Sequence, residues 1–149
     1  MSAAAGNRPL LLVLFGPTAA GKTEIAEEVA RRCSGEIVSA DAFAVYRGFD
    51  VGTAKPSPQG RATIPYHLID VADPTETFSA GRWAAEARIA IEEIAGRGRL
   101  PIVCGGSGFY VSALLDGLPA EDAPSLELRN GLVTWASARG RSALIAFSR

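Results

Sequence analysis

The chain has 149 residues, 48% of them apolar and 21% charged, with a formal net charge of −1 at pH 7. That is the length of one domain with room for a core, and the near-cancelled charge excludes a bulk pull toward nucleic acid or an anionic membrane. Two of the fifteen basic residues are lysines, Lys22 and Lys55, and the rest are arginine, the side chain better shaped for forked phosphate contacts.

Residues 1–9, MSAAAGNRP, hold no apolar stretch that would make a signal peptide, and no apolar run is long enough to span a bilayer. A disordered tail, a cytoplasmic location and no membrane partner are expected. LLLVLF, Leu10 to Phe15, reads as a strand buried on both faces, as in a parallel sheet. KTEIAEEVARRC follows as an amphipathic helix, with Ile25 and Val29 at i,i+4 spacing and Arg31 and Arg32 near its C-terminus. GEIVSAD is a second strand ending at Asp41, which completes a strand, loop, helix, strand unit. From Ala42 to Pro65 the glycines and prolines predict mostly loop with short helical turns.

YHLIDV predicts a third strand. The stretch after it carries a long helix capped by Ser79 or Thr77, with an apolar stripe of Trp83, Ala87, Ala90, Ile91 and Ile94. LPIVC predicts a fourth strand running into GGSG and then a helix, FYVSALLDGL; a further helix is expected around Leu126 to Ala138. The alternation implies an α/β fold, a parallel sheet flanked by helices. The two cysteines, Cys33 and Cys104, stand in no metal or redox spacing and read as small buried hydrophobes.

Between the first strand and helix, GPTAAGKT supplies Gly16, Pro17, Thr18, Ala19, Ala20, Gly21, Lys22 and Thr23. This is G-x-x-x-x-G-K-[ST] in the context it needs: glycines let the backbone wrap, N–H groups point inward, and Lys22 adds charge. Thr23 can place its hydroxyl on Mg²⁺. The loop binds a di- or triphosphate, and alone it suggests a nucleotide such as ATP. Asp41, at a strand's C-terminal end, faces that site if the sheet is open, where it could handle Mg²⁺ or a proton; otherwise it is a turn cap. Asp70 is either a metal-orienting acid or a loop cap. His67, the only histidine, reads as a hydrogen-bonded structural residue. GGSG is either a tight turn or a backbone surface met by a substrate, with Ser107 donating or accepting.

Four stretches in order, GPTAAGKT, SADAFAVYRGFDVGTAKP, YHLIDVADPTETFSAGRW and PIVCGGSGFYVSALLDGL, together resemble the tRNA dimethylallyltransferases. The resemblance implies a P-loop NTPase-like sheet over residues 10–118, incomplete at its C-terminal side. It makes residues 119–149 the start of a tRNA-binding insertion, cut short, with residues past Gly140 drifting from the family pattern. It implies transfer of a dimethylallyl group from dimethylallyl diphosphate to the N6 amine of an adenosine beside the tRNA anticodon, with Mg²⁺ assisting. By the same matching Asp41, Thr18 and Lys22 are catalytic: Asp41 accepts the amine proton, Lys22 and the loop hold the diphosphate, and Thr18 lies near the reacting end of the donor. Thr23 holds the metal. Asp41, Ala42, Phe43, Ala44, Ser107 and Arg129 contact tRNA, with alanines at 42 and 44 where the family usually has Ser and Gln. Lys55 is a candidate anion partner. The expected protein is a monomer that transfers prenyl groups poorly by itself. An adenylate isopentenyltransferase, a small-molecule P-loop kinase and a catalytically dead diphosphate-binding domain are the competing readings.

Overall fold

The computed structural model describes residues 10–51, 53, 55–118 and 126–139. The expected N-terminal tail, Gly52 and Ala54 of GTAKP, and the stretches 119–125 and 140–149 lie outside the described residues. The chain divides into two compact units at Leu118 and Pro119.

The first unit follows β1 (Leu12–Phe15), α1 (Lys22–Cys33), β2 (Gly35–Ser39), α2 (Pro58–Thr63), β3 (Tyr66–His67), α3 (Ala80–Gly96), β4 (Leu100–Gly105) and α4 (Gly108–Leu115). Its strands form one parallel sheet in the order β1-β4-β2-β3. β4 pairs through Ile102 with Leu12 on one side and Ile37 on the other. The strand alternation sorts the core into two layers. Val38 and Val103, with Val13 against them, face Trp83, Ala87, Ile91 and Ile94 of α3. Ile37 and Ile102, with Leu12 and Leu14 against them, face Ala26 and Ala30 of α1. Trp83 is fully buried, stacks on Tyr110 at 4.9 Å and donates its indole N–H to the Ser39 carbonyl at 2.9 Å. It thereby pins α3 to the end of β2.

The helix ends follow local chemistry. Ser79 caps α3 by accepting the Arg82 N–H, and Ser57 caps α2 by accepting the Gly60 N–H. In the second unit the described residues form the helix α5 (Leu126–Arg139), where Arg139 lies over the Trp135 ring at 5.4 Å.

Three expectations are corrected. β1 is an edge strand, paired among the described residues with β4 alone; Leu12 to Leu14 are half-buried and Phe15 is 57% exposed. An apolar run registers helices on both faces but says nothing about a neighbour on each edge. The third strand is cut to two residues, because Leu68 (φ 61°) and Asp70 (φ 57°) take left-handed conformations that no strand accommodates. Cys33 is exposed, since it ends α1 on the solvent side, and Cys104 is only partly buried. His67 has the structural partner expected of it. Its Nε2 meets Glu36 at 2.7 Å, and Arg97 and Arg99 reach the same carboxylate.

The turn after β4 is set by close approach. Ser107 N–H donates to the Ala40 carbonyl, and Ala40 N–H to the Cys104 carbonyl. A Cβ on Gly105 would lie 2.1 Å from the Ala40 oxygen. Gly105→Ala therefore forces β4 and β2 apart at their C-terminal ends, and chemical denaturation should show a loss of about 3 kcal/mol, the upper end for overpacking.

Glu36 supplies a pH dependence. Burial pushes its carboxyl up, but hydrogen bonds from Arg97 and His67 outweigh that and hold it below the ordinary glutamate value of 4.5. A carboxyl depressed in the fold stabilises it above the unfolded value and loses that contribution as pH falls through the folded one. Thermal melts should weaken on acidification below about pH 4.5, and Glu36→Gln should flatten that part of the profile while lowering stability at neutral pH.

Candidate active site

The phosphate loop is built where β1 gives way to α1. Gly21 caps the helix in a left-handed conformation (φ 73°), and Ala19, two residues earlier in the bend, is left-handed as well (φ 64°). No side chain among the described residues caps α1. The N–H groups of its first turn are thus left for an anion, at the end of the helix where the dipole favours negative charge. Lys22 curls back so that its ammonium donates to the Pro17 carbonyl, inside the loop.

Because β4 lies between β1 and β2, the ends of these three strands open into one cleft of about 560 Å³. The loop residues Thr18 to Thr23 line one wall, Cys104, Gly105 and Gly106 the floor, and Ser39 and Asp41 the far wall. Asp41 stands two residues beyond β2 and is half-buried. Its Oδ1 accepts the N–H groups of Phe43 and Ala44 at 2.8 and 3.2 Å. Its other oxygen receives no hydrogen bond among the described residues. Asp41 is therefore both things its position allowed, a turn cap and a cleft carboxylate.

The strand beside β1 ends in Cys104 and Gly105 and brings no acid to the loop. Burial raises the Cys104 thiol, with Lys22 opposing, so the sulfur stays a neutral wall. Asp70 is not among the residues lining this cleft. It pairs with Lys55 at 2.7 Å and Arg61 at 2.6 Å beside a second cavity. Of its two readings, the loop role is the one the geometry supports. Lys55 borders both cavities, but its ammonium is already held by the Tyr46 carbonyl, Asp50 and Asp70.

Of the residues expected to meet tRNA, Asp41, Ala42, Phe43, Ala44 and Ser107 belong to the first unit and Arg129 to the second. Ala42, Phe43 and Ala44 form the turn after Asp41, with Phe43 63% exposed and Ala44 buried. Ser107 touches this turn through its Oγ, which accepts the Ala42 N–H at 3.0 Å. Arg129 is in α5, and its side chain lies outside the described residues. Sequence reasoning missed Ser39, Glu24 and Cys104 as cleft residues. Ser39 had a signal, since it sits two positions before Asp41 at a strand end.

Among the described residues no three His, Cys, Asp or Glu side chains gather as a metal cage. The cleft offers hard oxygen donors instead, the Thr23 and Ser39 hydroxyls and the Asp41 carboxylate. That set suits an ion held largely by phosphate oxygens and water, as Mg²⁺ is.

Comparison with known proteins decides the lineage. The family model described as IPP transferase matches residues 44–147, and that described as isopentenyl transferase matches residues 9–64. The chain belongs to the IPP transferase family. Within it, the chain is 52% identical over 138 residues to a tRNA dimethylallyltransferase of Deinococcus radiodurans, covering 93% of this chain and 45% of that relative. It is 49% identical over 142 residues to one of Methylococcus capsulatus, covering 95% and 46%. The crystal structure of a tRNA isopentenylpyrophosphate transferase from Bacillus halodurans superposes with a TM-score of 0.71 at 40% identity, over 90% of this chain and 45% of that one. A eukaryotic dimethylallyltransferase acting on tRNA gives 0.68 at 30% identity, over 77% and 28%. The fold of this IPP transferase family chain is thus the P-loop NTPase-like parallel sheet. The chain spans about half the length of the curated relatives it matches.

Lys22→Met removes the only lysine charge in the loop and should weaken binding of inorganic diphosphate by about ten- to a hundredfold, the range for one charge-assisted hydrogen bond. Isothermal calorimetry in the presence of Mg²⁺ measures it.

Proposed function

We propose that this chain holds the prenyl donor and the proton acceptor for tRNA dimethylallyl transfer. One observation carries the reading: the anion-binding loop and the Asp41 carboxylate line the same cleft from opposite walls. The relatives named tRNA dimethylallyltransferase, and the family to which the chain belongs, support tRNA as the acceptor.

In this reading the diphosphate of dimethylallyl diphosphate lies against the N–H groups at the start of α1. As the allylic carbon–oxygen bond breaks, its electron pair goes to the diphosphate, and the loop N–H groups and Lys22 stabilise the charge that builds there. The adenine N6 lone pair forms the new carbon–nitrogen bond. An aromatic amine is a weak nucleophile until its proton has somewhere to go, and the open oxygen of Asp41 receives it. Thr18, on the loop wall, lies at the donor's reacting end. A Mg²⁺ ion would supply charge neutralisation on the leaving diphosphate, with Thr23 holding it on the protein side. The base leaves its stack to enter the cleft, as for other base-modifying enzymes. The turn at 42–44 would then meet the anticodon loop. Its alanines bring no side-chain hydrogen bond, so contact falls to backbone groups, the exposed Phe43 ring and the Ser107 hydroxyl, which retains a proton to donate.

Calorimetry with dimethylallyl diphosphate and with ATP, each with Mg²⁺, tests the donor without requiring tRNA. The prenyl donor should bind at least about tenfold more tightly, a difference of about 1.4 kcal/mol. ATP binding as tight as the donor's would favour a kinase instead, and no binding of either would remove the assignment.

A further inference from the structure

We propose that Asp70 is a positioning residue for the Asp41 carboxylate, held in that role by Lys55 and Arg61. The proposal rests on the reading of Asp41 as proton acceptor. Its starting point is an unfavourable backbone conformation: Asp70 sits at φ 57°, close behind Leu68 at φ 61°. Such residues persist where the surroundings over-determine them. Both Asp70 oxygens are claimed, Oδ1 by Lys55 at 2.7 Å and Oδ2 by Arg61 at 2.6 Å. Burial raises the carboxyl, and those two partners more than reverse the effect, so it stays ionised.

So oriented, Asp70 turns its backbone N–H to the Ala44 carbonyl at 3.0 Å. Ala44 in turn gives its own N–H to Asp41 Oδ1. The grip continues along the turn. Ala72 N–H donates to the Val45 carbonyl, Arg47 N–H to the Ala72 carbonyl, and Tyr46 and Ala72 form a parallel bridge. Lys55 adds a bond to the Tyr46 carbonyl at 2.6 Å. On the other side, Ser107 accepts the Ala42 N–H. Asp41 is thus suspended between two fixed points, Ser107 at Ala42 and Asp70 at Ala44.

The lysine's role follows from counting. An ammonium has three N–H groups, and Lys55, its side chain 2% exposed, has three acceptors: the Tyr46 carbonyl, Asp50 and Asp70. No donor direction is left for a bound diphosphate, although the side chain borders the cleft. Lys55 acts on the reaction through Asp70 and the turn.

The test uses this chain in solution. Asp70→Asn keeps the size and tolerates the left-handed conformation while removing the charge, and Arg61→Gln is the milder variant should the first fail to fold. In both, the Phe43 and Ala44 amides should exchange with solvent about tenfold faster, as for the loss of one hydrogen bond's stabilisation. The carbon-13 resonance of the Asp41 carboxyl should move as well. Lys55→Arg, which keeps a cation against Asp70, should retain the wild-type signals. Binding of inorganic diphosphate with Mg²⁺ should be unchanged in Asp70→Asn and Arg61→Gln. Wild-type exchange at Phe43 and Ala44 in a folded variant overturns the proposal. So does equal acceleration at Val38 and Val103, which would mark general destabilisation, and so does lost diphosphate affinity, which would place the cluster in the anion site. Failure of the wild-type chain to bind diphosphate overturns the proposed function, and the exchange data still judge the clamp.

Discussion

The contact between Gly105 and the Ala40 carbonyl governs the site. β4 runs between the strand that launches the phosphate loop and the strand that leads to Asp41. The width of the cleft is therefore the width of that one strand at its C-terminal end, about one inter-strand spacing on each side. Only a residue without a side chain lets the turn after β4 fold over Ala40, with Ser107 N–H bonded to its carbonyl. The same turn brings Ser107 Oγ to Ala42. Floor and Asp41 wall are thus parts of one hydrogen-bonded frame, and the β1–β4 pairing joins the loop wall to it.

The layers behind this frame explain why it is rigid on the β2 side. Trp83 anchors α3 to Ser39, and two alternating sets of apolar residues fill both faces of β2 and β4. Every residue of β2 is buried. Asp41 hangs from the best-packed strand of the sheet, two residues past its end, and its loop is tied down at Ala42 and Ala44. On the proposed reading of Asp41 as proton acceptor such preorganisation matters, because a carboxylate that must first find its place loses rate at the moment of proton transfer.

Features encoded within a few residues could be read from the sequence, and those encoded by distant pairing could not. The phosphate loop, the α3 cap at Ser79 (one of the two candidates, with Thr77), the apolar stripe of α3 and the strand begun by LPIVC each depend on neighbours in the chain, and each stands in the structure where the pattern put it. The edge position of β1 depends on strand order, which no local pattern carries. The truncation of YHLIDV is more instructive. Its apolar residues suit a strand, but Asp70 is turned out of one by cations 15 and 9 residues upstream. GTAKP was legible as a family stretch while the partner of its lysine was not, because an ion pair across the fold leaves no periodicity. Ser39 was overlooked for a different reason: it closes a buried strand, where only the alternation toward Asp41 marks its face.

The edge position of β1 has a thermodynamic side. The phosphate loop grows from the strand that is, among the described residues, paired on one side only and least covered by the core. Local opening of such a strand costs less than opening of β2. A ligand that engages the loop binds the closed form alone, so occupancy and strand order are linked quantities, each raising the other by mass action. Anion binding and the order of the first strand then become a single equilibrium, with the anion adding cohesion at that edge.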